Sequence, residues 1–247
     1  MTEMLPLFPL STVLYPGLPL PLHIFEERYR QLVRDLLAGP EPPAFGVVAI
    51  REGRETGIDG VSALWPVGCT ALLRQVQRYP DGRYDIVTVG TRRFRLLSLD
   101  ESRPYWQGEV EMLAEDPGDE AAAQTEADIV RAAFSGYVRA LSSLAEHDPA
   151  RDEPVEQAGA GADEGAGLDD SPAISIPDLP ADPVALSYAV AASLIVDLAD
   201  KQALLAQPDA AARLAAERVL LAKETTMLRR LTSAPAPHLR HSPYSNN

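Results

Sequence analysis

Leu5-Pro-Leu-Phe-Pro-Leu-Ser-Thr-Val-Leu-Tyr-Pro-Gly-Leu-Pro-Leu-Pro-Leu-His-Ile-Phe-Glu-Glu-Arg-Tyr29, continuing to Gly39, is the stretch whose reading decides the fold. Its first half is forced to be extended. Pro6, Pro9, Pro16, Pro19 and Pro21 each fix φ and turn the preceding residue toward β or polyproline backbone. Leu, Phe, Val and Tyr alternate between them as in a strand with one buried face. The second half has helical spacing: Phe25, Tyr29, Leu32, Val33, Leu36 and Leu37 fall on one side. Glu26 and Glu27 suit the positive end of that helix, and Gly39-Pro40 stops it. The stretch therefore reads as strand, Pro-Gly loop, short strand and amphipathic helix, the entry to a β-rich unit with a helix packed on it.

Outward from there, 44–50 is a short buried-type strand, and 51–60 is rich in Gly and charge. The segments 68–79 and 84–89 meet across Pro80-Asp81-Gly82, where Pro presets a turn and Gly accepts positive φ. After Gly90-Thr91 come a strand over 93–99 and another over 106–112, the latter with Trp106, Val110 and Met112 on one face. About six strands and one helix are expected, closed or nearly closed into a small barrel. Past Asp116-Pro117-Gly118 the pattern becomes helical. Val130, Phe134, Tyr137, Val138, Leu141 and Leu144 mark a helix of about seven turns over 119–146. Residues 148–176 are acidic, Ala- and Gly-rich and poor in large apolar side chains, and read as a mobile loop. Asp182-Pro183 opens a helix with Leu186, Val190, Leu194, Ile195 and Leu198 inward. Lys201–Leu205 reads as a short turn, and a last helix carries Leu214, Val219, Leu221, Leu228 and Leu231. Residues 235–247 read as a disordered tail.

Two blocks of residues resemble the substrate-binding domain of the ATP-dependent protease Lon, a domain that also occurs alone in short bacterial proteins. The first comprises Pro6-Leu7-Phe8-Pro9, Tyr15-Pro16-Gly17, Pro21-Leu22, Ile24-Phe25-Glu26, Arg28-Tyr29 and Gly90 with Arg93. The second comprises Asp197, Lys201-Gln202, Leu204-Leu205, Asp209, Arg213-Leu214 and Glu224. The resemblance implies an α+β protein: a PUA-like β-barrel lobe with one helix over 1–116, followed by an α-helical bundle lobe over 117–234. It assigns structural roles to Pro16, Gly17, Pro21, Phe25, Glu26, Arg28, Tyr29, Gly90, Arg93, Gln202 and Arg213, with Arg93 in an internal ion pair. The acidic insertion departs from the compact form of the family.

Composition narrows the chemistry. The formal net charge of −14 opposes sequence-independent binding to phosphate backbones or anionic membrane. A single cysteine, Cys69, excludes an intrachain disulfide and a multi-cysteine metal cluster, so a reducing cytoplasm is expected. The proline-rich opening has no basic n-region and cannot serve as a helical signal peptide. Lys201 and Lys223 are the only lysines, and neither follows a Gly-rich loop. No phosphate-binding ATPase motif and no Lon-type Ser–Lys dyad can be found. His23 is read as an ordinary junction side chain, Cys69 as a small buried hydrophobe, and His147, His238 and His241 as unsuited to hold a metal. No enzyme, metal or cofactor is expected.

Two binding readings remain. Tyr15, Leu18 and Pro19, in the Pro-Gly loop, are either rim packing or an exposed edge that grips unfolded or partly folded polypeptide, in the service of a separate ATP-dependent protease or in competition with it. Arg74, Arg78, Arg83 and Arg92, with Arg93 and Arg95, are either a solvated sheet face paired with Glu109 and Glu111 or an RNA-facing patch. The first of these binding functions, a non-enzymatic protein-binding module, is the leading expectation, with RNA binding as its alternative.

Overall fold

Fixed proline φ angles leave the first twenty-four residues little choice but extension, and a computed structural model shows two strands there, β1 (Thr2–Leu10) and β2 (Pro19–Ile24). It describes residues 2–53, 61–146 and 178–233; the acidic segment 148–176, the tail 235–247, His147, His238 and His241 lie outside the described residues. Helix α1 (Glu27–Ala38) follows, then β3 (Ala44–Gly53), β4 (Val61–Leu64), β5 (Val67–Arg78), β6 (Tyr84–Asp100) and β7 (Gln107–Met112). That is seven strands where about six were expected. The short β4 is an addition, with no alternation long enough to announce itself, and the segments 84–89 and 93–99, expected as two strands parted at Gly90-Thr91, run on as the single strand β6.

β1 pairs antiparallel with β7 and parallel with β3, and antiparallel pairing runs on from β3 to β5, β6 and β7. The ring β1-β7-β6-β5-β3 is therefore closed, which removes most of the edges an open sheet would expose. Besides β5, β6 serves two further partners along its length, β2 with residues 84–89 and β7 with 94–100. The 80–82 turn joins β5 to β6 as its sequence requires, with Gly82 at φ +85 and Tyr79 N–H donating to Arg83 O at 2.9 Å. α1 lies against the barrel. Its Tyr29 stacks on Phe8 with ring centroids 4.0 Å apart, and Leu32 and Val33 share a core with Ile24, Phe45, Tyr84 and Ile86. Phe25, expected on that inner face, precedes the helix and is 54% exposed; Leu37 is also exposed. The helix starts two residues after Phe25, and in its last turn Leu36, not Leu37, is the residue packed against the core.

Four helices follow, where three were expected: α2 (Glu120–Glu146), α3 (Pro183–Ser193), α4 (Leu198–Leu205) and α5 (Ala210–Ser233). Aspartates begin them. Asp119, Asp182, Asp197 and Asp209 accept from the N–H groups of Ala122, Ala185, Asp200 and Ala212 at 2.7–2.8 Å. Asp197 is thus the start signal that makes 201–205 helical rather than a turn. α3 has already ended at Ser193, earlier than the apolar spacing suggested, so Ile195 falls in the link and is 70% exposed. Val219 and Leu231 likewise point outward. The core stripe of α5 is Leu214, Leu221 and half-buried Leu228, packed with Val130, Phe134, Leu186 and Leu194. Each fully buried leucine contributes about 1.5–3 kcal/mol, enough to outweigh the helix propensity of the residues around it.

Candidate functional site

The seam between barrel and helices is buried, with a few polar ties crossing apolar packing. Arg93, on β6, is 1% exposed, and its guanidinium reaches the C-terminal end of α4. Nη1 donates to Leu205 O at 2.9 Å and to Gln207 O, Nη2 to Ala114 O and Pro208 O, and Nε to Glu115 at 3.2 Å. A cation here satisfies carbonyls that a helix end leaves without partners and sits at the negative end of its dipole. Arg213, on α5, completes the clamp. Its Nε donates to Leu204 O at 3.1 Å, Nη1 to Ser187 Oγ at 2.9 Å, and its guanidinium lies 4.1 Å over the Tyr188 ring. Burial pulls the Arg213 pKa below its ordinary value. Gln202 Nε2 donates to Val67 O at 2.7 Å, tying α4 to β5.

Tyr15 belongs to this seam. It is 1% exposed, and its hydroxyl donates to Lys201 O at 2.8 Å. Of the two readings of Tyr15, packing and an exposed grip, the geometry agrees with packing: the Pro16-Gly17 turn aims the ring into the helices. Gly17 N–H donates to Gly90 O and Gly90 N–H to Leu18 O, both at 2.8 Å, which fixes the turn against β6. Pro16 is buried there, Leu18 is half-buried against the helical core, and Pro19 and Pro21 stay exposed. Glu26 pairs with Arg28 at 3.0 Å, and Arg28 lies 4.5 Å over the Tyr29 ring.

Two hollows with apolar walls lie at the ends of α1. Toward its start a hollow of about 160 Å³ is lined by Phe8, Leu22, His23, Phe25 and Tyr29. Toward its end a larger hollow of about 560 Å³ runs along the first half of β1, walled by Met4, Pro6, Leu36, Pro40, Pro42 and Pro43. At one end of this larger hollow Tyr105 donates to Asp35 at 2.7 Å, with Arg103 beside them at 3.6 Å. The sequence reading missed these walls, although the closely spaced prolines 40, 42 and 43 after a helix stop were a visible signal of a rigid, extended rim.

The arginines do not make one patch. Arg74 and Arg78 lie on the exposed far half of β5, and Arg83 at the turn is held by Asp81 at 2.6 Å. Arg92 sits opposite Thr70, eight residues along β5 from Arg78, or about 26 Å at strand spacing. Arg95 pairs with Glu111 at 3.2 Å. His23 has a partner after all, Asp85 at 2.5 Å, and Tyr79 donates to the same carboxylate at 2.6 Å, holding its pKa below the usual range. The cluster is solvated. Cys69 is enclosed by the barrel, and burial pushes its thiol up to about 12, leaving almost no thiolate at neutral pH. Among the described residues no group of His, Cys, Asp and Glu could hold a metal ion, and no helix is long and apolar enough to cross a membrane.

A closed barrel bearing one helix, tied through the buried Arg93, Gln202 and Tyr15 to a helical lobe and offering hollows with apolar walls to solvent, defines a two-part domain of mixed sheet and helix. A model of the ATP-dependent protease La (LON) substrate-binding domain matches residues 4–223, and the chain belongs to that family. It is 27% identical over 213 residues to Lon protease 2 of Syntrophobacter fumaroxidans, covering 86% of this chain and 23% of that protein. Over 152 residues it is 30% identical to the Lon protease of Parabacteroides distasonis, covering 61% of this chain and 18% of the relative. The chain thus spans under a quarter of the length of these relatives. In fold it is similar to the Lon N-terminal domain protein from Xanthomonas campestris (TM-score 0.52, 24% identity, 89% of this chain and 98% of that one). It is also similar to the N-terminal domain of Mycobacterium avium complex Lon protease (TM-score 0.53, 18% identity, 91% and 98%).

Proposed function

We propose that the chain binds segments of unfolded or partly folded polypeptide on the barrel surface around α1, without catalysing a reaction on them. In this role it passes substrates to a separate ATP-dependent protease or withholds them from it. Family membership supports a substrate-binding module, and the observation that carries the location is the 560 Å³ hollow beside β1. Its walls suit a tolerant site. Met4 is 49% exposed and adapts its shape to different side chains, while prolines offer apolar surface without demanding hydrogen bonds. Phe25 extends the surface at the other end of α1, and Leu18 and Pro19 contribute at the rim.

The test is a titration of reduced, carboxymethylated lactalbumin, a chain that cannot refold. Saturable micromolar binding is expected. Met4→Thr and Phe25→Glu, both at exposed positions, should weaken it about fivefold each, close to 1 kcal/mol, with the melting temperature unchanged. Absence of saturable binding to any unfolded chain would remove this reading. Adding the protein to an ATP-dependent protease then separates delivery, which speeds degradation of the bound chain, from withholding, which slows it.

A further inference from the structure

The barrel ring is closed, but the hairpin that projects from it is not. There β2, the first half of β6 and the second half of β5 form a three-stranded flap with two outer edges. Antiparallel pairs alternate between hydrogen-bonded and non-bonded, so two observed bonds fix which residues face outward. Gly90 N–H donates to Leu18 O, which makes Pro19, Pro21 and His23 the outward residues of β2. Two of these three have no N–H, so that edge is poor in donors. Tyr79 N–H donates to Arg83 O, which makes Val76 and Arg78 the outward residues of β5. Both have an N–H, and residues 74–78 are all exposed. Among the described residues one hydrogen bond touches this edge, an exposed one in which Gln77 Nε2 donates to Arg78 O at 3.3 Å; an incoming strand would displace it.

We propose that the β5 edge at Val76 and Arg78 pairs with an extended polypeptide segment that carries acidic residues on either side of an apolar one. This rests on the polypeptide-binding reading and adds to the hollows at α1 a second contact, on β5, with its own preferred sequence class. Arg74 and Arg78 flank Val76, and among the described residues neither forms an ion pair with an acidic side chain. A bulge between Leu73 and Gln75 limits the register to the last residues of the strand. A second copy is disfavoured as the occupant. In each register that uses Val76, Arg78 of one copy falls directly or diagonally opposite Arg74 or Arg78 of the other, and like charges so placed repel. An acidic segment meets the same charges as partners and receives four backbone groups in line.

Two end-blocked peptides, Asp-Thr-Val-Thr-Asp and Lys-Thr-Val-Thr-Lys, serve as probes beside carboxymethylated lactalbumin and an RNA duplex. The acidic peptide should bind about tenfold more tightly than the basic one and slow amide hydrogen exchange at Val76 and Arg78. Val76→Pro removes one outward N–H and no ladder bond, as Pro19 and Pro21 already do on the other edge. It should weaken acidic-peptide binding about tenfold, and Arg74→Glu/Arg78→Glu should invert the charge preference. Equal binding of both peptides, unchanged binding by Val76→Pro, or salt-sensitive capture of the duplex alone would each overturn the edge. Lactalbumin bound equally by wild type and Val76→Pro, with no peptide bound, would overturn the edge and leave the polypeptide reading intact. If lactalbumin also fails to bind, both fall.

Discussion

Glu217 is fully buried on α5, one turn beyond Arg213, and neither of its carboxylate oxygens has a hydrogen-bond partner. Burial raises its pKa well above the ordinary glutamate value, and the Arg213 charge opposes that rise only in part. The folded state therefore holds a proton that the unfolded chain releases. Stability contributed by this residue is fully present below the unfolded pKa and declines as pH rises toward the folded one, by at most about 1.4 kcal/mol per pH unit. Glu217→Gln keeps the shape and removes the titration. Urea melts between pH 5 and 8 should show a shallower fall for the variant, which should overtake the parent protein at the alkaline end; parallel curves would mean that Glu217 is already ionised in the fold. In sequence Glu217 sits between Leu214 and Leu221 on the buried stripe, so its burial could have been read from the helical period.

At the scale of elements, legibility followed local chemistry. Prolines forced β1 and β2, Pro80-Asp81-Gly82 turned the hairpin, and Asp182-Pro183 opened α3, because each acts within a few residues of itself. Apolar spacing misled where a cap outranked it: Asp197 opens α4 where a turn was read at 201–205, after α3 has already ended and left Ile195 in solvent. Tyr15 could not be placed from its neighbours, since the helices that cover it lie nearly two hundred residues away in sequence. The hollows at α1 were illegible for the same reason, being gaps between β1, α1 and the prolines after it rather than properties of one segment. Gly90 shows how tightly such segments are fitted. A Cβ there would stand 2.2 Å from Tyr15 O, a backbone atom that cannot swing aside because Gly17 and Leu18 are bonded to Gly90 itself. Gly90→Ala should cost about 1–3 kcal/mol, read as a lower urea midpoint, with loss of the Tyr15 contact to α4. An unchanged midpoint would show that the Pro-Gly turn is free to move.

For the whole molecule the question is whether barrel and helices unfold together. Three side chains bond the seam to backbone across it: Arg93 to Leu205 and Gln207, Gln202 to Val67, and Tyr15 to Lys201. Arg93 carries most of the load because one planar fork serves several carbonyls at once, something a lysine ammonium cannot reproduce. Arg93→Met keeps an apolar stem and leaves buried acceptors unpaired, each worth about 1–3 kcal/mol. The helical lobe should then melt ahead of the barrel. The protein's two tryptophans, Trp65 and Trp106, both belong to the barrel half, so their fluorescence reports that half, while circular dichroism at the helix band reports mainly α2–α5. In the parent protein the two urea transitions should coincide. In Arg93→Met the helical signal should fall at lower urea than the tryptophan signal, with Arg93→Lys between the two. Coincident transitions in Arg93→Met would show that apolar packing of Tyr15 and Val67 against the helices holds the halves together without the buried cation.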